Sequence, residues 1–346
     1  MLKFCTLFDS NYMSRGLAMY DSLLTHCTDF HLYVVAFDDV VIHVLNKLKL
    51  EKISIISLKE FEDIHLLNIK PSRSYVEYMW TCTPSVILYC IKEFNLDHCT
   101  YLDADLYFFD NPEKLLVEAN TSSILLSKHN YTPRYDKSNL SGIYCVQFML
   151  FRNTTYGMRT LNWWRNACID WCYNRYENGK FGDQKYLDDW TERFEGVHVL
   201  EHLGGGVAPW NVQQYTLVSS HSKNNETVSS PIRLLWSCQA KAQSIKENEF
   251  EIIFFHFHYF RFLSEMKVDL GTFQIDKEII QQIYVPYILH LLRIGKLIQE
   301  VSPDILTHGK YAQIKWYKII TRYLRSGFKL NYNIFKINDL IQKQNT

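Results

Sequence analysis

Two aspartates, Asp103 and Asp105, follow a short apolar run and are separated by one small residue. Tyr101 and Leu102 favour a buried β-strand whereas aspartate disfavours one, so the pattern predicts a strand that ends where Asp103 begins. Carboxylate oxygens suit Mg²⁺ and Mn²⁺, which keep coordination positions open for phosphate oxygens. The pair therefore predicts a divalent metal site that acts on a diphosphate, although the same sequence is also typical of a solvated turn.

The stretch before this pair alternates between predicted strands and helices. The expected strands cover residues 2–8, 30–37 and 53–57, and the expected helices cover residues 12–25 and 40–48. This alternation predicts an α/β fold with a parallel sheet. Because ligands collect beyond the carboxyl ends of parallel strands, Thr6, Asp9 and Asn11 are expected to border a nucleotide.

Four short motifs occur in an order that resembles the GT-A glycosyltransferases, especially the retaining enzymes of glycosyltransferase family 8 and their bacterial relatives. They are the Asp103-Ala-Asp105 region, the Gly182-Asp183-Gln184 block, the Trp210-Asn211 pair and the His256-Phe257-His258 segment. The likeness covers roughly residues 1–262. It implies a Rossmann-like nucleotide-diphospho-sugar transferase domain over residues 1–275. The helical and then basic pattern that follows predicts a helical, basic and aromatic C-terminal extension over residues 276–346.

The resemblance also assigns a metal and its ligands. Mn²⁺ or Mg²⁺ would be held by Asp103, Asp105 and one C-terminal histidine, and His256 is preferred over His258. Strand alternation over residues 251–262 is expected to place both histidines on one face, although histidine in an apolar strand is usually structural. The family's glycine after the second histidine is replaced here by tyrosine, and its closing Lys-Pro-Trp is absent.

Two arginines are expected near the donor diphosphate, because planar guanidinium suits phosphate oxygens. In the resembling family a basic residue near Arg73 approaches the donor, and Arg261 is the basic residue that remains where Lys-Pro-Trp is missing. An ordinary surface arginine is an equally good interpretation of Arg73.

The resemblance assigns the sugar chemistry to the middle of the chain. Asp183 would hydrogen-bond the sugar or acceptor, and Gln184 would lie near the reacting carbon, although Asp183 is also compatible with a helix N-terminal cap. Trp210 and Asn211 would contact the acceptor side, with Trp210 stacked on a sugar face. Gln147 stands where relatives often have small Asn-Ser-Gly residues, so it is expected to alter donor-sugar recognition or to be a hydrogen-bonded interior amide.

These assignments predict a metal-dependent glycosyltransferase that moves a sugar from a nucleotide-sugar, expected to be a UDP-sugar, to a hydroxyl of a glycan or glycolipid in surface polysaccharide synthesis. The resemblance implies retention of anomeric configuration, while an inverting enzyme with Asp183 as base stays open. Two alternatives remain. A sugar-phosphate nucleotidyltransferase lacks support because no glycine-rich, lysine-bearing loop follows the first strand. A non-catalytic sugar-binding module is favoured by the missing family elements and disfavoured by the intact carboxylates.

Composition sets the wider context. The chain is 47% hydrophobic and 15% aromatic, and 37 basic residues balance 37 acidic ones, so no global signature of nucleic-acid binding is present. Nine scattered cysteines in apolar segments predict reduced core residues. No signal peptide and no apolar run near 18 residues is apparent, which predicts a cytoplasmic location. The polar stretch 219–227 predicts a hairpin tip or mobile loop.

The C-terminal tail differs from the rest of the chain in charge. Residues 305–346 contain eight Lys or Arg and one Asp, interleaved with aromatic residues. This pattern predicts peripheral attachment to an anionic membrane surface, which would be the inner face of the plasma membrane. A packed helical subdomain or a homodimer surface is an equally good interpretation.

Overall fold

The computed structural model describes residues 1–218, 241–244, 249–325 and 332–342, so the polar stretch 219–227 lies outside the described residues. The strands are β1 Leu2–Phe8, β2 Phe30–Ala36, β3 Ile53–Ser57, β4 His98–Leu102, β5 Leu106–Phe108, β6 Ile124–Lys128, β7 Tyr144–Arg152, β8 Val197–Val199, β9 Tyr215–Val218, β10 Lys241–Ser244, β11 Glu249–Glu251, β12 Phe254–His256, β13 Arg261–Ser264, β14 Lys267–Asp269 and β15 Ile334–Lys336. The helices are α1 Met13–His26, α2 Asp39–Leu48, α3 Leu58–Phe61, α4 Ile64–Ile69, α5 Tyr75–Glu93, α6 Glu113–Glu118, α7 Ser138–Ser141, α8 Thr155–Asp170, α9 Trp190–Arg193, α10 Lys277–Ile279, α11 Val285–Val301, α12 Trp316–Arg325 and α13 Ile337–Gln342.

A seven-stranded sheet in the order β3-β2-β1-β4-β7-β6-β8 forms the centre of the molecule. β1 to β4 are parallel, as the alternation of strands and helices predicts, and the α/β class is confirmed. β7 runs antiparallel to both of its neighbours, which the sequence does not predict. Its N-terminal end therefore meets the carboxyl ends of β1 and β4 at one edge of the sheet.

Both faces of the sheet are covered, because the apolar runs of its strands leave no polar face for water. On β1, Phe4 and Phe8 belong to the buried cluster that includes α1 and α11, whereas Cys5 and Leu7 belong to the cluster that includes α5 and α8. The eight cysteines among the described residues are all buried and form no disulfide. They behave as the small core residues that the sequence predicts.

Helix α5 carries two residues of the site described below, Trp80 and Thr83. It begins at a capping box in which Ser74 accepts from the Glu77 backbone N–H and the Glu77 side chain accepts from the Ser74 backbone N–H. The helix continues through Pro84 to its end at Glu93, so the proline does not interrupt it.

A two-stranded ladder outside the central sheet joins distant parts of the chain. β5 pairs antiparallel with β12, and Leu106 lies opposite His256. The prediction of one continuous strand over residues 251–262 is wrong, because β12 ends at His256 and the chain turns before β13 begins at Arg261. Tyr259 lies within this turn at φ +65°, in the left-handed region.

The C-terminal elements pack into the same core. His290 on α11 lies 2.8 Å from the Asp21 carboxylate on α1, and its other ring nitrogen lies 2.9 Å from the Tyr107 hydroxyl on β5. Both side chains of the His290–Asp21 pair are 1% exposed. Removing one partner of such a buried pair would destabilise the protein, because the other group would be left buried without its partner.

The described part of the basic tail is also packed, as one of the three interpretations of its sequence predicts. Arg322 on α12 donates to both carboxylate oxygens of Asp269, and Ile337 and Leu340 are buried. β15 completes a small sheet in the order β13-β14-β15. In the described part of the chain, no helix combines the length and apolar character that crossing a bilayer requires.

Candidate active site

The carboxyl ends of β1 and β4 and the beginning of β7 open into one cavity of about 470 Å³. The predicted site residues that line it are Asp103, Asp105, Asp183, Gln184, Trp210, His256 and His258. This position matches the general rule for open α/β sheets, in which ligands bind beyond the carboxyl ends of the strands. The structure therefore brings together carboxylates and imidazoles that are far apart in the sequence.

The carboxylates and histidines form a compact cluster at one end of the cavity. Asp105 Oδ1 lies 3.1 Å from His256 Nε2, and Asp103 Oδ2 lies 3.8 Å from the same nitrogen. One ligand atom from each of Asp105, His256 and His258 lies within 4.8 Å of the others. The side chain of Asp103 is 29% exposed and faces the open part of the site.

Burial and the neighbouring charges shift the pKa values of the groups in the cluster. Burial raises the pKa of Asp103 to about 6, and the nearby Asp105 charge acts in the same direction. Burial also favours protonated Asp105, but the charge and hydrogen bond of His256 outweigh it and lower the pKa of Asp105 to about 2. Burial lowers the pKa of His256, but Asp105 reverses this effect and leaves it well above its usual value. A divalent cation bound here would replace the proton on His256 and supply the positive charge that the two carboxylates attract.

Gln147 lies behind the cluster and not on the cavity surface where a substrate contact is predicted. It is completely buried on β7 and is not among the residues that line the cavity. Its Oε1 lies 2.6 Å from Nδ1 of His256. The interpretation of Gln147 as a hydrogen-bonded interior amide thus describes its position.

Asp183 and Gln184 lie on another wall of the same cavity. The chain at Asp183 is held by its neighbours, because Gly182 adopts φ +53° and the Asp183 carbonyl accepts from Trp164 Nε1 at 2.8 Å. Burial and then the Asp103 charge raise the pKa of Asp183 to about 7, while a hydrogen bond with Thr83 opposes them. Only a short 3₁₀ turn follows at Lys185–Leu187, so the predicted helix, and with it the role of Asp183 as a helix cap, is wrong.

Trp210 lies between the cavity and the two histidines. Its ring packs edge-on against His256 and His258, with centroids 5.3 and 5.4 Å apart, and its Nε1 donates to the His129 carbonyl. Tyr131, Tyr135, Tyr259 and Phe273 extend this aromatic wall, together with Trp80 and Phe181 from the other side. Flat aromatic faces of this kind suit the apolar faces of sugar rings.

Asn211, predicted to contact the acceptor, is not among the residues that line the cavity and has structural partners. Its side chain is fully buried, donates to the carbonyls of His129 and Gly206, and accepts from the Ala208 backbone N–H. The glycine run beside it is equally structural. A Cβ at Gly204 would lie 1.9 Å from the Glu251 carbonyl, so this residue is required for close packing.

The two arginines predicted to contact diphosphate have structural partners instead. Arg73 donates to the Tyr173 hydroxyl and to the Ile169 carbonyl at 2.9 Å, which links the start of α5 to the end of α8. Arg261 donates to buried Asp269 at 2.6 Å. Neither arginine lines the cavity. Lys137 is the one lysine or arginine among the described residues that line the cavity, and no motif in the sequence marks it.

Thr6 on β1, and Asp9 and Asn11 just after it, support the cavity from outside its lining. Thr6 is buried, and Asp9 accepts from the backbone N–H groups of Asn11 and Tyr12. The Asn11 side chain accepts from the Lys310 backbone N–H in the C-terminal segment. Leu7 and Tyr12, which neighbour these residues, do line the cavity. The region next to the predicted nucleotide contacts therefore faces the site, but through different side chains.

Comparison with known proteins adds relatives of similar length. No protein-family model matches the chain. The chain is 29% identical over 310 residues to the uncharacterized protein YfnD of Bacillus subtilis (strain 168), covering 87% of this chain and 92% of that protein. It is 27% identical over 301 residues to the uncharacterized protein YfnF of the same organism, covering 84% and 92%.

Solved structures with some similarity are glycosyltransferases. The galactosyltransferase LgtC in complex with donor and acceptor sugar analogs is 14% identical, with 57% of this chain and 73% of that chain covered and a TM-score of 0.39. Mouse xyloside xylosyltransferase 1 in its apo form is 16% identical, with 57% and 84% covered and a TM-score of 0.38. With TM-scores below 0.5, these similarities do not by themselves establish a shared activity.

Proposed function

We propose that the chain is a metal-dependent glycosyltransferase of the GT-A type. It moves a sugar from a nucleotide-sugar, with UDP as the nucleotide, to a hydroxyl of a glycan or glycolipid. The observation that carries the proposal is the convergence of Asp103, Asp105 and His256 at the carboxyl end of β4, inside a cavity that also contains Asp183. Convergent polar groups in a largely apolar cavity are the usual mark of a ligand site.

The residues of the cluster fit a hard divalent cation. Asp103, Asp105 and His256 would hold Mn²⁺ or Mg²⁺, because two carboxylates beside one imidazole supply the oxygen ligands that these cations prefer. His258 is the nearest additional ligand, since one of its ring nitrogens lies within 4.8 Å of the ligand atoms of Asp105 and His256. The ring of His256 supports the fit, since its Nδ1 is hydrogen-bonded to Gln147 and its Nε2 faces both carboxylates. When bound, the cation supplies positive charge that stabilises the departing diphosphate.

Lys137 supplies a further positive charge at the rim of the cavity. It is exposed and lies in the segment between β6 and β7, close enough to His258 to lower that residue's pKa further once burial has lowered it. Because Arg73 and Arg261 are bound elsewhere, Lys137 is the lining residue best suited to contact diphosphate oxygens. An ammonium group contacts phosphate as a point charge, so its binding geometry is adaptable.

Asp183 is the carboxylate placed to contact the transferred sugar. It lies in the cavity but outside the metal cluster, and the Asp183 main chain is fixed by Trp164. Following the resemblance, Asp183 hydrogen-bonds the sugar, Gln184 lies beside the reacting carbon, and anomeric configuration is retained. Trp210 and the other aromatic rings bind sugar faces and exclude water, which favours transfer over hydrolysis.

Helix α12 provides a surface that fits a lipid-linked acceptor in surface polysaccharide synthesis. Trp316, Ile320 and Leu324 are spaced four residues apart and expose 73, 51 and 63% of their surface, so they form one apolar stripe. Lys315 and Lys318 are exposed beside it. An apolar stripe flanked by lysines suits the surface of an anionic bilayer.

The activity is tested by a screen of nucleotide-sugars with Mn²⁺, in which release of free nucleotide is measured. A transferase releases nucleoside diphosphate slowly by hydrolysis of the nucleotide-sugar, and it releases it faster when a suitable acceptor is added. Pyrophosphate formation from a nucleoside triphosphate and a sugar phosphate would instead identify a nucleotidyltransferase.

A further inference from the structure

We infer that Gln147 is a positioning residue for the metal site, which sets the tautomer of His256 and thereby presents its Nε2 lone pair to the cation. The inference rests on the proposed function, because it assigns a role to a residue behind the proposed metal ligands. Gln147 itself contacts neither the cavity nor the predicted substrate.

The backbone of Gln147 holds the first carboxylate. Its carbonyl accepts from the Asp103 backbone N–H at 3.0 Å, at the point where β4 ends beside β7. Asp103 is thus fixed relative to the residue whose side chain contacts His256. Gln147 therefore contacts both proposed ligands, Asp103 through its backbone and His256 through its side chain.

The side chain of Gln147 keeps a proton on Nδ1 of His256. Its Oε1 lies 2.6 Å from His256 Nδ1, and an amide carbonyl can only accept, so Nδ1 must donate. In the metal-free protein Nε2 also carries a proton and faces Asp105 Oδ1 at 3.1 Å and Asp103 Oδ2 at 3.8 Å. A cation held by the carboxylates would displace this proton and take the Nε2 lone pair, while Nδ1 stays a donor to Gln147. A hydrogen bond to the distal nitrogen is how proteins usually fix a metal-binding histidine.

The surroundings of Gln147 support this orientation of its amide. Cys145 also contacts the ring, but a thiol is a weak acceptor, so Gln147 is the stronger partner of Nδ1. The Gln147 Nε2 group is buried without a hydrogen-bond partner in the structure. A buried amide NH₂ group without a partner destabilises the folded protein, so its presence suggests that the carbonyl oxygen of the same amide has a function.

Removing the acceptor should weaken metal binding while the ligands themselves stay in place. Gln147→Met keeps the length of the side chain and removes the carbonyl, and Gln147→Asn keeps the amide but withdraws it from the ring. Gln147→Glu keeps an acceptor at the same distance. We expect the Met and Asn variants to bind Mn²⁺ about ten- to a hundredfold more weakly, whereas the Glu variant stays close to wild type.

The experiment combines two measurements on the full-length protein. Mn²⁺ affinity is measured from the loss of the free-ion electron paramagnetic resonance signal. The tautomer of His256 is measured in the metal-free protein by ¹⁵N NMR with labelled histidine, at a pH high enough for the ring to be neutral, and its signals are assigned by their loss in His256→Gln. Wild type and Gln147→Glu should show a proton on Nδ1, and the Met and Asn variants should shift toward a proton on Nε2.

Unchanged Mn²⁺ affinity and an unchanged tautomer in folded Gln147→Met and Gln147→Asn would overturn the inference. Failure of the proposed function looks different, because wild type itself would then not bind Mn²⁺ while the tautomer shift would still be seen. Near-UV circular dichroism identifies any variant that has not folded. If either Gln147→Met or Gln147→Asn fails to fold, the inference is tested with the other one.

Discussion

Asp105 Oδ1 and His256 Nε2 lie 3.1 Å apart, because the strand that follows Asp105 pairs with the strand that ends at His256. The Phe257 backbone N–H also donates to the Asp105 carbonyl at 2.9 Å. The cluster is therefore built by the β5–β12 ladder, which lies outside the central sheet. This ladder connects the N-terminal half of the fold to the C-terminal segment at the site itself.

The role of Asp183 is tested by substitution and by product stereochemistry. Asp183→Asn should lower kcat by about a hundredfold or more, because the buried carboxylate is placed to contact the sugar. Asp189→Asn is the matched control, since Asp189 is exposed and does not line the cavity. Proton NMR of the fresh product should show retention. An inverted product would make Asp183 the general base and overturn the retaining assignment.

Lys137 is expected to contribute to donor binding. Lys137→Met should raise KM for the nucleotide-sugar about tenfold with a smaller effect on kcat, since the lost charge helps to bind the diphosphate. Lys137→Arg should keep most of the affinity, and Lys92→Met removes an exposed lysine outside the cavity as a control. Equal KM values for Lys137→Met and wild type would show that Lys137 does not contact the donor diphosphate.

The left-handed conformation of Tyr259 predicts an unusual order of stability. Tyr259→Gly and Tyr259→Ala both remove the ring, but only glycine adopts φ +65° without strain. The glycine variant should therefore be more stable than the alanine variant by about 1 kcal/mol in free energy of unfolding. Urea denaturation measures the difference. If alanine is as stable as glycine, the turn does not require this conformation.

Membrane attachment is tested on helix α12 by substitution and not by truncation, because deleting the tail would remove Arg322 and the buried Ile337 and Leu340. Wild type should sediment with anionic liposomes at low salt, with each engaged lysine contributing on the order of 1 kcal/mol. Replacing the three stripe residues, Trp316, Ile320 and Leu324, by serine should abolish sedimentation.

Tyr176→Ser serves as the control for this measurement, since Tyr176 is an exposed aromatic residue outside the tail. Neutral liposomes and high salt should each reduce binding of the wild type. If wild type does not sediment with anionic liposomes at low salt, α12 does not bind a bilayer and its apolar stripe has another partner.

The parts of the fold and site that can be predicted from sequence are those with strong local patterns. β1 and β3 have the predicted bounds, because short runs of β-favouring residues ended by polar residues define a strand. Asp103 follows the end of β4 for the same reason. The two histidines could be proposed as neighbours from their spacing, although the strand ends at His256 and a turn brings His258 close.

Partners distant in sequence explain what could not be predicted. Arg73 has the chemistry of a phosphate contact, but its partners Ile169 and Tyr173 come from the end of α8, and no local pattern indicates this. Gln147 on β7 contacts His256 only because β5 carries β12 past the edge of the sheet. Side-chain hydrogen bonds of this kind depend on tertiary packing, which a sequence pattern does not contain.

The most direct test of the central claim is release of UDP from a panel of UDP-sugars, measured with Mn²⁺ and with EDTA. Wild type should release UDP from at least one donor only when the metal is present. Asp105→Asn, which keeps the side-chain volume and removes the charge, should reduce this release by about a hundredfold or more while the protein stays folded. Release of UDP that is equal with Mn²⁺ and EDTA, or equal in wild type and Asp105→Asn, would contradict a metal-dependent transferase built on this cluster.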